Sequence, residues 1–369
     1  MYPGSRALGR FLHNAGGVGE EGWKRGGGVE KRGGRENAGE SEGMSRRLSF
    51  SEAWDLVRSR EEVLDAGVTE RELEGAVAHG RLRRVHRGAY VDAEVWDQLW
   101  PEGRQLVRLC AVRRASPGGG PVFSHLSAAA LWGLPLVVPI RDDVHTAIRS
   151  RRHTRTEAGV VRHQMALDEG DIVRRHGLRC TSLARTVFDL ARLLRPEAVV
   201  AAGDAALRMV SIDGHEVDHD EVDAWRAEVD RLCVPGLRGV RLARWIGAFA
   251  DGRAQLPGES VSRLQLHRLG FRDIDLQVPL VGSDGVRYFA DFGFPRSRAF
   301  GEFDGEDKYR DAELRTTSTA ADAVLAEKHR EDEIRGVTGW RVVRWGSAHI
   351  RTPEDLGRRL AAFGVRPPG

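Results

Sequence analysis

Lysine is scarce in this chain. Of its 57 Lys and Arg residues only Lys24, Lys31, Lys308 and Lys328 are lysine. Cysteine is nearly absent too. Cys110, Cys180 and Cys233 are odd in number and far apart, which excludes a disulfide framework and any cysteine metal spacing and makes a reducing cytoplasm the expected setting. Long apolar runs are missing. The most apolar stretch, Ala128–Ile140, is interrupted by Gly133, Pro135 and Pro139 and is too short to span a bilayer. Neither an internal repeat nor a secretory signal is visible. A strong charge imbalance is also lacking: the net charge of +3 does not by itself announce a nucleic-acid binder.

What is present is a hydrophobic content of 41% and a charged content of 30% over 369 residues, enough for two or three globular domains. Residues 1–43 stand apart, rich in glycine and mixed charge without hydrophobic periodicity. Such composition cannot bury enough apolar surface to order itself. Met44 immediately precedes the first patterned segment, so the expected true start is Met44, with a disordered arm as the alternative.

From Leu48 to Val91 the pattern predicts one helix over Phe50–Ala66, then a second over Glu70–His79. Thr69 and Glu72 form a capping box for the second, and Gly80 stops it. The alternating segment RLRRVHRGAYV follows. Helix, turn, helix and basic hairpin are the parts of a winged helix-turn-helix. Arg81, Arg83, Arg84 and Arg87 are then candidate DNA phosphate contacts, against the simpler reading of a solvated strand face.

The middle of the chain predicts a small-residue helix at Ser124–Leu134 and strands at Val144–Ile148 and Val160–His163. Helices are expected at Thr181–Leu194 and Glu197–Arg208, and an exposed connector at Ser211–Asp223. His125 and His163 read as structural rather than metal-binding. The basic run Arg149–Arg155 is a second phosphate-binding candidate or a solvated loop.

The stretch VRYFADFGFPRSRAFGEFDGEDKY, Val286–Tyr309, organises the rest. Strand-like runs Val286–Gly293 and Ala299–Asp304 flank a turn. Asp291 sits near the end of the first run. Glu302 and Asp304 share one face of the second, because strand side chains alternate. Converging carboxylates, with Lys308 just beyond, suit a hard cation that prefers oxygen ligands. A helix at Pro257–Leu269 precedes this stretch, with Glu259 in its first turn. Glu259 either favours the helix dipole or adds a fourth carboxylate. Strands at Leu276–Val281 and Trp340–Trp345 and a long helix at Ser318–Arg335 complete the module.

Asp291, then Glu302-x-Asp304 and Gly305, resembles the D…E-x-K site of the restriction-endonuclease-like, PD-(D/E)XK, superfamily, and GEFDG resembles its branch related to very-short-patch repair endonucleases. The segment from Leu48 onward, with SHLSAAALWGLPL, TSLARTVFDLA and GDAALR, resembles AbiEi-type antitoxins of type IV toxin–antitoxin systems.

These resemblances imply an α/β chain with four parts. They are the tail 1–43, a winged helix-turn-helix at 44–100, an antitoxin-like α+β region at 101–250, and an αβββαβ restriction-endonuclease-like domain at 251–369. They imply Mg²⁺ held by Asp291, Glu302, Asp304 and Glu259, and metal-dependent cleavage of DNA with Lys308 or Lys328 beside the water. The family's motif lysine is replaced by Asp304. The alternative implied is a repressor whose nuclease-like domain is silent, with a cognate nucleotidyltransferase-like toxin as partner.

Overall fold

The computed structural model describes residues 48–137, 143–149, 157–283, 285–305 and 320–367, with side chains of 320–328 excepted. It is a mixed α/β chain with several sheets. Among the described residues no helix is long and apolar enough to cross a membrane. The chain divides into two compact units, one within Met1–Leu131 and Ile140–Thr181, the other within Trp132–Pro139 and Ser182–Gly369.

The first unit opens with α1 (Phe50–Leu56), β1 (Arg58–Ser59), α2 (Arg60–Asp65) and α3 (Glu70–Ala78). Here the single helix expected over Phe50–Ala66 is two. Val57 is extended, and β1 pairs with β3 (Ala89–Asp92) through Arg58↔Tyr90 and Ser59↔Ala89. Ser59 then begins α2 with its own capping box to Glu62. The Thr69–Glu72 box expected for α3 is present.

The strand β2 (Leu82–His86) pairs antiparallel with β3. Leu82 and Val85 are both buried although three apart, which strict alternation forbids. A register shift between Arg84 and His86 resolves the conflict: a bulge inserts one residue and turns Val85 back inward. Arg83 and Arg84 are consequently both exposed.

Next come α4 (Ala93–Gln98) and α5 (Pro101–Ala115), which no sequence pattern above anticipated. The rest of the unit is a five-stranded sheet of β4 (Val122–Phe123), β5 (Val144–Ile148), β6 (Val160–Gln164), β7 (Ile172–Arg175) and β8 (Leu178–Thr181), in the order β6-β5-β4-β8-β7, with α6 (His125–Trp132) following β4.

The second unit begins with helices α7 (Leu183–Ala191), α8 (Pro196–Ser211), α9 (His219–Leu232) and α10 (Val240–Phe249). The expected connector at Ser211–Asp223 is instead the short hairpin of β9 (Ile212–Asp213) and β10 (Glu216–Val217) followed by the start of α9, capped by Asp218. Val222, Trp225, Val229 and Leu232 bury one stripe of α9 at steps of three and four. Asp204 on α8 is fully buried against Arg263 at 2.6 Å.

After these helices come α11 (Pro257–Arg268), β11 (Asp275–Val281), β12 (Arg287–Phe294), β13 (Ala299–Asp304), α12 (Ala320–Thr338), β14 (Arg341–Gly346) and α13 (Pro353–Ala362). The sheet order is β11-β12-β13-β14. The first three strands run antiparallel and β14 lies parallel to β13. One face packs Phe292, Phe294, Phe303 and Trp345 against Val261 and Leu266 of α11 and Leu356 and Leu360 of α13. The other face packs Ala290 and Phe300 against Ile334 of α12.

Candidate functional site

The site lies where this sheet changes face. Ala290 belongs to the cluster against α12 and Phe292 to the cluster against α11 and α13, so alternation breaks at Asp291. The neighbouring strand breaks at the same level. Leu276 pairs with Phe292 and Val278 with Ala290, leaving Gln277 opposite Asp291 with a left-handed φ of 49°. A non-glycine residue in that region is strained, and such strain concentrates at functional sites.

The β12–β13 ladder also ends here, at Phe292↔Gly301. Beyond it the Phe303 N–H donates to the Asp291 carboxylate at 2.8 Å. Asp291 therefore replaces the missing backbone acceptor and is held rigidly at the fork. Glu302 stands beside it on β13 and is 2% exposed. Burial pushes the Glu302 carboxyl up to about 7, the charge of Asp291 pushes the same way, and Arg330 opposes both.

Arg330 Nη2 donates to Glu302 Oε1 at 3.0 Å and to the Phe289 carbonyl at 2.6 Å. Its placement follows from helix geometry. Ile334 docks α12 on the sheet, and a residue four positions earlier shares its face. Glu259, 2% exposed at the start of α11, accepts from the Gln255 N–H at 2.8 Å and from Gln277 Nε2 at 3.4 Å.

The structure thus brings Asp291 and Glu302 together and links Glu259 to the same level through Gln277. Asp304 takes another course. At the end of β13 it is drawn to Arg344, whose Nη1 lies 3.4 Å from it and whose Nε lies 3.5 Å from Glu331. Among the described residues only His125, His145 and His163 have three ligand atoms all within 4.8 Å of one another, so Asp291, Glu302 and Asp304 do not close into such a group. Lys308 and the Lys328 side chain lie outside the described residues. Arg335 on α12 pairs with Glu331 and Asp332.

Sequence reasoning missed Arg330 and Gln277. Gln277 carried a signal, as a lone amide inside the apolar run LQVPLV. Arg330 carried none, being one arginine among many.

On the first unit Arg81, Arg83, Arg84 and Arg87 are all exposed. Arg83 lies over the Trp96 ring at 5.4 Å and 3.7 Å from Asp97, and Arg84 Nε reaches the His86 carbonyl at 3.4 Å. Behind them the His86 ring meets Glu157 at 2.9 Å.

Fold and site define an α/β protein with a buried carboxylate pair at a strained fork in a mixed sheet. No family model matches the chain. Two proteins of Mycobacterium tuberculosis from different strains, Uncharacterized protein Rv2248 and Uncharacterized protein MT2308, are each 30% identical to it over 237 residues. That is 64% of this chain and 79% of each relative. The chain belongs to the family of these two proteins.

Proposed function

We propose that the protein binds DNA through its first unit and that its second unit is a restriction-endonuclease-like domain performing Mg²⁺-dependent phosphodiester hydrolysis. The observation that carries this reading is the buried pair Asp291–Glu302. Two carboxylates share a site where burial and mutual repulsion raise Glu302 to about 7. Their hard oxygen donors suit Mg²⁺, and a divalent cation relieves that repulsion. The order helix, three antiparallel strands, helix, parallel strand supports the fold. For the first unit, support comes from α2, α3 and the β2–β3 hairpin carrying four exposed arginines.

Asp291, fixed by the Phe303 N–H, and Glu302 would hold the cation, with Glu259 positioning Gln277 behind them. Bound Mg²⁺ supplies Lewis-acid stabilisation of charge on the phosphate oxygens and an activated water. Arg330 keeps Glu302 oriented. Arg344, half-buried beside Asp304, would contact a phosphate. Burial of the pair keeps bulk water from screening these charges.

A second reading is an AbiEi-type, antitoxin-like repressor with a silent nuclease-like domain and a nucleotidyltransferase-like toxin as partner. Two observations favour it: Arg330 already pairs with Glu302, and Asp304 stands at the family's lysine position. The discriminating experiment incubates DNA with the wild type and Glu302→Gln, with and without Mg²⁺. Cleavage by the wild type alone, requiring Mg²⁺, supports the nuclease. Salt-sensitive DNA binding by both proteins without cleavage supports the repressor, since phosphate contacts release counterions.

A further inference from the structure

The first unit contains a second cluster of ligand-type side chains, and nothing in the nuclease reading uses it. His125, His145 and His163 come from three elements: the start of α6, the start of β5 and the end of β6. The strands β5 and β6 are parallel, with His145 beside Val161 and His163 beside Ala147. Alternation therefore sends both imidazoles to the same face of the sheet.

His125 reaches them because it sits just past β4 with a left-handed φ of 49°. A side chain is held in that region only when its surroundings enforce it. The rings of His125 and His163 stack at 3.7 Å, and His145 Nδ1 lies 2.8 Å from His163 Nε2. His125 and His145 are buried and His163 is partly so.

We propose that His125, His145 and His163 form a binding site for a divalent transition-metal ion, zinc foremost. Zinc–nitrogen bonds of about 2.0–2.1 Å in a tetrahedron place ligand nitrogens about 3.3 Å apart. The three ligand atoms already lie within 4.8 Å of one another, so small ring rotations close the site. In the His145–His163 contact one ring donates. Ligation through both of those nitrogens moves that ring's proton to its other nitrogen and changes no charge.

Imidazole selects zinc, nickel, cobalt or copper over magnesium. Metal ligation takes the neutral imidazole.

The His145 backbone is braced for such a role. Its N–H donates to Ser127 Oγ at 2.8 Å, and buried Gln105 donates to Ser127 Oγ at 3.1 Å and to the Asp143 carbonyl at 3.2 Å. Three imidazoles without a fourth protein ligand among the described residues resemble sites that keep one position open for water or a ligand.

The test titrates the chelator-stripped full chain with Co²⁺ near neutral pH, reading visible ligand-field bands, then displaces Co²⁺ with Zn²⁺. The expected result is one Co²⁺ per chain in a nitrogen-rich, low-coordinate spectrum that Zn²⁺ abolishes. His163→Gln, at the most accessible of the three positions, and His125→Gln should each weaken binding by more than the 10- to about 100-fold typical of losing an outer partner.

Melting in the absence of metal separates folding from ligation. A variant that melts like the stripped wild type yet gains no metal-induced rise supports the site. Glu302→Gln should bind Co²⁺ like the wild type, which separates this site from the carboxylates. A wild-type spectrum identical to that of free aqueous Co²⁺, or undiminished binding by both histidine variants, overturns the proposal.

Discussion

Replacing Glu302 by glutamine should stabilise the metal-free protein increasingly as pH rises from 4.5 to about 7, and not below that window. The carboxyl titrates at about 7 in the folded chain against 4.5 ordinarily, chiefly through burial and then through the charge of Asp291. A group whose folded pKa is raised favours the folded state fully below its unfolded pKa. That advantage is lost as pH rises through the folded value. For Glu302 the window runs from 4.5 to about 7. At about 1.4 kcal/mol per pH unit, ionised Glu302 costs about 3 kcal/mol above the window relative to a neutral isostere. The opposing effect of Arg330 is already contained in that displacement.

Urea unfolding of wild type and Glu302→Gln at about pH 5 and about pH 8 measures the difference. The two proteins should lie close together at the lower pH. At the higher pH the variant should be more stable by about 3 kcal/mol in the transition that reports the second unit. Adding Mg²⁺ at the higher pH should narrow the gap by stabilising only the wild type. A gap that does not change with pH, or a variant less stable at about pH 8, would refute the reasoning.

Three further outcomes are expected. Arg330→Ala, which leaves Glu302 buried without its cation, should cost about 3–5 kcal/mol at about pH 8 and less in acid, where Glu302 takes up a proton; chemical denaturation at two pH values checks this. Changing Arg83, Arg84 and Arg87 together to alanine should weaken DNA binding across sequences and reduce the log–log salt slope by about one for each lost phosphate contact, read by anisotropy at several salt concentrations. Gly258→Ala places a methyl group in the Phe303 ring, so α11 must move from β13; a loss of about 1–3 kcal/mol by thermal melt is expected.

The second-unit sheet was legible because its strands are punctuated by glycine and proline and its helices bear stop signals. Pro257–Leu269 differs from α11 by a single residue. The acids at 291 and 302 were legible as residue types in strand runs, and the β12–β13 register then sets them side by side. What could not be read is which cation meets them. That depends on how α12 docks, which Ile334 decides from 32 positions beyond Glu302. The reading of one helix over Phe50–Ala66 followed apolar spacing correctly but could not include the pairing with β3, 30 residues away, that extends Arg58 and Ser59. The histidine cluster was hidden for the same reason. His145 and His163 are 18 residues apart, and only the parallel β5–β6 pairing turns them to one face. In α9 the buried stripe was present in the sequence, masked by the acids around it.

The central claim is that Asp291 and Glu302 together hold a divalent cation, and its most direct measurement is Mn²⁺ binding by electron paramagnetic resonance, with Mg²⁺ as competitor. The account predicts that wild type binds Mn²⁺, that Mg²⁺ displaces it, and that Asp291→Asn and Glu302→Gln each lose this binding while remaining folded. Wild-type protein that leaves Mn²⁺ free, or variants that bind it as tightly as wild type, would contradict the account.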